Sequence, residues 1–262
     1  ALAWVAAGSL ALLGVKGGVF TISSGGTDRV WGPPGSFIED NNEFALALVL
    51  AIPLLRFLQM QLRSGWGRHL MTATMVLCAA AALGSYSRGS FLAIVAMTLV
   101  MWWRGKNRIS TGLVLVVAAV LLLAFMPEAW HQRIDTIGTY EEDESAMGRI
   151  QAWTNAWNLA FHYPLGVGFN AAREEVFTAY AAGAPARAAH SIYFQALGNH
   201  GFVGLAIFVL IWGLTWNSAR WLRTQARHIP QARWAAELGA MCQVSLVGYL
   251  VGGAFLSLTY FD

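Results

Sequence analysis

The sequence predicts an all-α fold, a polytopic transmembrane helical bundle carrying a large helical loop on one side. Three observations lead there. The chain of 262 residues is 56% hydrophobic and 12% charged, with mean hydropathy +0.50, whereas soluble domains carry about 25% charged residues. Apolar runs of roughly spanning length recur at about 1–22, 44–62, 70–86, 89–103, 109–126, 191–217 and 235–258. Three basic linkers separate alternate runs: Arg56, Arg63 and Arg68; then Arg104, Lys106 and Arg108; then Arg220, Arg223, Arg227 and Arg233.

These linkers hold 10 of the 17 Lys and Arg residues. Alternating the seven spans puts all three on one side, which the positive-inside rule makes cytoplasmic. The opposite side receives 13 of the 14 acidic residues, all but Glu237. The expected organisation is one membrane domain over residues 1–262, with 127–189 inserted between spans as an external, periplasmic loop subdomain. Twelve tryptophans suit a chain with many crossings of the interfacial belt.

In chain order, the first run opens on Ala1 with no basic segment before it, which predicts further helices upstream. Lys16 stands near its external end, as a phosphate contact or a helix anchor. Residues 23–43 gather Asp28, Arg29, Glu39, Asp40 and Glu43, and Asp40 or the neighbouring asparagines are expected to cap the helix entering at Phe44. The stretch from Leu70 to Trp103 is 34 residues long with Arg88 as its one charge. As a single helix it would reach roughly 51 Å, against a hydrocarbon core of about 30 Å. Gly84, Ser85, Ser87, Gly89 and Ser90 instead predict a tight helical hairpin with Arg88 at its external tip. Two placements of Arg88 fit: lining a wet cavity, or snorkelling to the headgroups.

The external segment 127–189 is too long for an ordinary connection. After an acidic run at 141–144, Ser145 predicts an N-cap, and Arg149, Trp153 and Trp157 recur at i, i+4 and i+8 on one helical face suited to the membrane interface. Pro164 ends that helix. PLGVGFN (164–170) lacks the preceding strand and third glycine of a dinucleotide fingerprint and reads as a turn holding backbone against a neighbour. His190 stands where the chain re-enters the membrane; His200 follows ten residues on and is suited to a buried polar contact. Tyr193, one turn after His190, either orients it or packs.

Several function classes are disfavoured. A net charge of +3 is too small for a nucleic-acid partner. Cys78 and Cys242 lie in apolar runs without ligand spacing, and no HExxH accompanies the histidines, so neither a metal nor another cofactor is expected. Arg88, Arg149 and His190 remain, on three external elements. Guanidiniums grip phosphate and diphosphate groups, and an imidazole near neutrality takes a proton from a hydroxyl. Group transfer from a lipid-linked diphosphate fits that set.

The ordered motifs SYSRG, GR followed by AW, PLGVGFN and AHSIYFQALGNHGFVGL resemble the bacterial O-antigen ligase and polymerase superfamily over about 84–210. KGGVFTISSGG and RVWGPPGSFIEDNNEFALAL, within 16–48, are similar to its branch of exosortase-associated O-glycosylation ligases. The resemblance implies a metal-independent, inverting glycosyltransferase of the inner membrane, its active site facing the periplasm. The donor is a glycan on undecaprenyl diphosphate, and the acceptor a hydroxyl, typically of lipid A–core oligosaccharide. By motif, Arg88 and Arg149 would meet the donor diphosphate and His190 the acceptor hydroxyl. Apart from the motifs, Arg29 or Glu39 either borders a donor or acceptor sugar or belongs only to the turn before the capped helix. Membrane lipids complete the expected partners. A roughly twelve-helix family architecture implies that this chain is the C-terminal part. A polymerase or a protein O-glycosylation ligase would use the same chemistry. A lipid-linked glycan transporter is the reading from another class, and it would call for repeated halves that the sequence does not clearly show.

Overall fold

The computed structural model describes residues 2–105, 108–135, 144–180 and 186–260. Among the described residues ten α-helices follow one another: α1 Leu2–Ser23, α2 Asn41–Gln61, α3 Gly65–Gly84, α4 Arg88–Arg104, α5 Arg108–Phe125, α6 Glu128–Asp135, α7 Glu144–His162, α8 Glu174–Tyr180, α9 Ile192–Gln225 and α10 Arg233–Gly252. No strand occurs among the described residues. Each of the seven apolar runs falls on one of these helices. Among the described residues, four stretches are long and apolar enough to cross a membrane: Leu2–Ser23, Asn41–Gln61, Ile192–His228 and Pro230–Phe255. Lys106 and the acidic residues 141–143 lie outside the described residues.

The chain forms two compact units, Ala1–Ile134 with Trp216–Gly252, and Asp135–Thr215 with Gly253–Asp262. In the first, α2 is the buried centre, with Phe44, Leu46, Leu48 and Leu55 almost fully enclosed. Small residues let its neighbours approach closely, as is usual between helices in lipid. Gly14 and Gly17 of α1 lie against Cys78 and Ala81 of α3, and Gly248 and Gly252 of α10 receive Met97 and Leu46. Ser245 also donates to the Leu50 carbonyl at 3.1 Å.

The expected α3–α4 hairpin is present. Ser87 caps α4 by accepting from the Ser90 N–H at 3.3 Å, and Tyr86 holds the turn at φ 62°. The tip is joined to the 24–43 segment rather than loose in solvent. Asn41 Nδ2 donates to the Ser85 carbonyl at 2.7 Å, the Tyr86 hydroxyl to the Gly26 carbonyl at 2.7 Å, and the Val30 N–H to the Gly84 carbonyl at 3.0 Å. Asp40 caps α2 as expected, accepting from the Asn42 N–H at 2.8 Å. Below the tip, Trp130 of α6 packs with Leu83, Tyr86 and Met126.

In the second unit, α7 packs on α8 through Ala152 and Phe177 and on the first half of α9, where Gly198 faces Ala156 and Ala171. Helix α7 starts at Glu144, one residue ahead of the expected cap at Ser145. Residues 164–168 lie against a kink in α9 at Gly201, whose φ and ψ are 63° and −164°. A Cβ on Gly166 would overlap Asn199 and His200, and one on Gly201 would overlap Pro164. The glycine-rich turn therefore holds backbone against backbone, as its sequence implied.

The α1–α3 approach is testable. A methyl on Gly18 would overlap the Leu77 carbonyl, while one on Gly8 meets nothing within 4 Å. Gly18→Ala is expected to destabilise the detergent-solubilised protein by about 1–3 kcal/mol, with Gly8→Ala neutral, read as thermal unfolding temperatures.

Candidate active site

Helix α7 ends its first turns with Gly148 and Arg149, and one turn later presents Trp153. The Trp153 ring stacks on Phe194 of α9, centroids 5.0 Å apart and planes within 8°. Trp157 packs edge-on against Phe202 of the same helix at 5.8 Å. These ring contacts seat α7 on α9, while Trp157 keeps 48% of its surface exposed.

Trp153 also fixes the loop that leads to His190. Its indole N–H donates to the Ala189 carbonyl at 2.7 Å, and the next N–H, of His190, donates to Ser257 Oγ at 3.0 Å. Both ends of a single peptide group are therefore held, one from α7 and one from the C-terminal segment. His190 itself sits at φ 44°, a left-handed conformation that costs a non-glycine residue about 1–2 kcal/mol. That cost persists only where the surroundings over-determine the backbone. The imidazole is left exposed immediately before α9.

Arg149, Arg187 and His190 line one cavity of about 310 Å3, with Gly148 and Ala188. Arg149 is half-buried and Arg187 exposed. The Arg187 guanidinium lies directly over the Cα of Gly148, where a Cβ would overlap Nη1. The structure brings together two of the expected residues, Arg149 and His190, and adds a second guanidinium that sequence reasoning missed. The available signal for Arg187 was its position three residues before His190, in a segment read only as loop.

The other expected residues each lie within their own unit. Tyr193 is half-buried in the first turn of α9 and does not line this cavity. Lys16, Arg29, Glu39 and Arg88 belong to the first unit. Lys16 is exposed on α1. Arg29 rests over the Tyr86 ring at 5.6 Å, and Glu39 accepts from the Gly35 N–H at 2.8 Å, closing its own turn. Arg88 is half-buried as the first residue of α4. A cation there opposes the helix dipole, so helix stability does not explain the choice of residue. His200 meets the hydroxyl of Tyr260 at 3.1 Å, and Asn199 Nδ2 donates to that hydroxyl at 2.7 Å. Burial pushes the Tyr260 phenol above its ordinary range, against a smaller lowering from Asn199, and keeps it protonated at neutral pH.

Residues 73–209 match the sequence profile of the family described as O-antigen ligase. That match spans more than half of the chain. This chain belongs to the O-antigen ligase family. No curated protein matches it, and no solved structure does. Membership and the apolar helices make it a multi-pass membrane protein of glycosyltransferase-like type. The family acts in general on lipid-linked glycan and lipopolysaccharide-type substrates.

The clamp on the 189–190 peptide is open to measurement. Ser257→Ala removes one partner, and Trp153→Phe keeps a ring for Phe194 while freeing the Ala189 carbonyl. Each is expected to speed amide exchange at His190 by about five- to tenfold. Unchanged exchange in both variants would show that these bonds do not hold the loop.

Proposed function

We propose that this chain is an inverting O-antigen ligase that moves a glycan from undecaprenyl diphosphate to a hydroxyl of lipid A–core oligosaccharide. The observation that carries the reading is the shared cavity of Arg149, Arg187 and His190 in a chain of this family. His190 takes the proton of the acceptor hydroxyl, whose oxygen bonds to the anomeric carbon of the donor sugar. The bond from that carbon to the diphosphate oxygen breaks, and its electron pair leaves with undecaprenyl diphosphate. Arg149 and Arg187 neutralise the departing diphosphate, so the reaction needs no metal for that charge. Arg88 is assigned to the same donor group on its SRG motif. Lys16, Arg29, Glu39 and Tyr193 are secondary, bordering sugar or phosphate or orienting His190.

Two peptides with left-handed non-glycine residues support the assignment, since Tyr86 lies two residues before Arg88 and the other is His190 itself. Strained backbone clusters at working sites. In this reading the seven helices on apolar runs all span the inner membrane, as part of a roughly twelve-helix protein. The basic linkers face the cytoplasm, and the 127–189 subdomain with its catalytic histidine faces the periplasm.

The test is ligation in membranes of a ligase-null strain, read from the lipopolysaccharide ladder at matched protein levels. His190→Ala is expected to reduce turnover by about 10²–10⁴-fold, and Arg149→Ala and Arg88→Ala to reduce it more than they reduce folding. Normal ladders from all three variants would refute the assignment.

A further inference from the structure

A second cavity, of about 230 Å3, adjoins the first, with Arg187 and Ala188 in the wall of both. Its lining is of a different kind. Asn155, Gln195 and Asn199 contribute amides, and Phe169, Phe194 and Tyr260 contribute rings. Asn155 is 2% exposed. Its Nδ2 donates to the Ala171 carbonyl at 3.2 Å, while its Oδ1 is buried with no hydrogen-bond partner. Gln195 Oε1 accepts from the Thr259 N–H at 3.2 Å, which leaves its NH2 group to donate. Asn199 gives its NH2 group to Tyr260, which leaves Oδ1 to accept. Phe169 packs against Tyr260 at 71° with 73% of its surface exposed.

This combination discriminates between ligand classes. An apolar chain would leave the buried Asn155 acceptor unmatched, which disfavours it. A phosphate would find a lining rich in amides with a single guanidinium, that of Arg187. A pyranose ring carries hydroxyls that donate and accept, together with a C–H face that packs on an aromatic ring. We infer that this cavity is a sugar-ring subsite that seats the saccharide unit beside Arg149 and His190. The inference rests on the glycan-transfer reading above. The same chemistry is presented by the donor's first sugar and by the acceptor's terminal sugar.

The experiment measures binding to the intact protein in lipid nanodiscs, so turnover is not required. Three probes are used: undecaprenyl diphosphate, an undecaprenyl-diphosphate-linked O-antigen unit, and lipid A–core oligosaccharide. Phe169→Ala, at a position that is 73% exposed, and Asn155→Leu are each expected to weaken one glycan-bearing probe by about tenfold. Affinity for undecaprenyl diphosphate is expected to stay within about twofold. A loss confined to the linked O-antigen unit assigns the donor's sugar, and one confined to lipid A–core assigns the acceptor's. Unchanged affinity for both glycans in Phe169→Ala overturns the subsite, as does an equal loss for sugar-free undecaprenyl diphosphate. If Arg149→Ala and His190→Ala ligate normally while Phe169→Ala still loses glycan affinity, the ligase reading fails and the subsite stands. The converse pattern removes the subsite alone.

Discussion

The candidate site depends on one peptide group, the bond between Ala189 and His190. Its carbonyl accepts from Trp153 and its N–H donates to Ser257, so it cannot rotate without breaking both bonds. That restraint fixes the backbone of His190 in a conformation it would not otherwise populate. The histidine then projects an exposed ring from a rigid base. A fixed backbone removes the entropy of finding its place at each turnover. The same clamp carries the preceding residues, Arg187 and Ala188, into the cavity wall.

A comparable arrangement holds the α3–α4 tip. Tyr86 occupies the left-handed region at φ 62°, and its hydroxyl, the Gly84 carbonyl and the Ser85 carbonyl are all tied to the 24–43 segment. The polar residues of that turn are buried rather than solvated: Ser85, Ser87 and Ser90 expose 3% or less. Burying hydroxyls is tolerable only where each finds a partner. Ser85 donates to the Ala82 carbonyl at 2.6 Å, and Ser87 accepts from Ser90. Arg88 thus begins α4 from a turn whose geometry is set on several sides.

What the sequence made legible follows the physics of each feature. Helix positions were readable because apolar runs of spanning length admit few alternatives, and the α3–α4 turn because a lone arginine between glycines and serines demands a break. The Asp40 cap was readable from local chemistry. Arg187 was not, because its role arises from Gly148, 39 positions earlier, which leaves room for the guanidinium. Helical spacing put Trp153 on a face with Trp157, but only packing reveals that this face also meets α9. Long-range pairings such as Ser257 with His190 leave no periodic trace at all.

Helix α7 explains why these pieces belong together. Within seven residues it supplies Arg149 to one cavity, Trp153 to the clamp and Asn155 to the adjoining cavity. A single helix holds such groups at fixed separations, with less positional error than a loop allows. The stacking of Trp153 on Phe194 and of Ala156 on Gly198 locks that helix to α9, so the spacing between the guanidinium and the histidine is set by packed, nearly incompressible contacts. Arg187 reaches the same cavity from the loop before α9, exposed and with its guanidinium over Gly148. In the ligase reading the departing diphosphate therefore meets one guanidinium carried by a packed helix and one carried by the clamped loop.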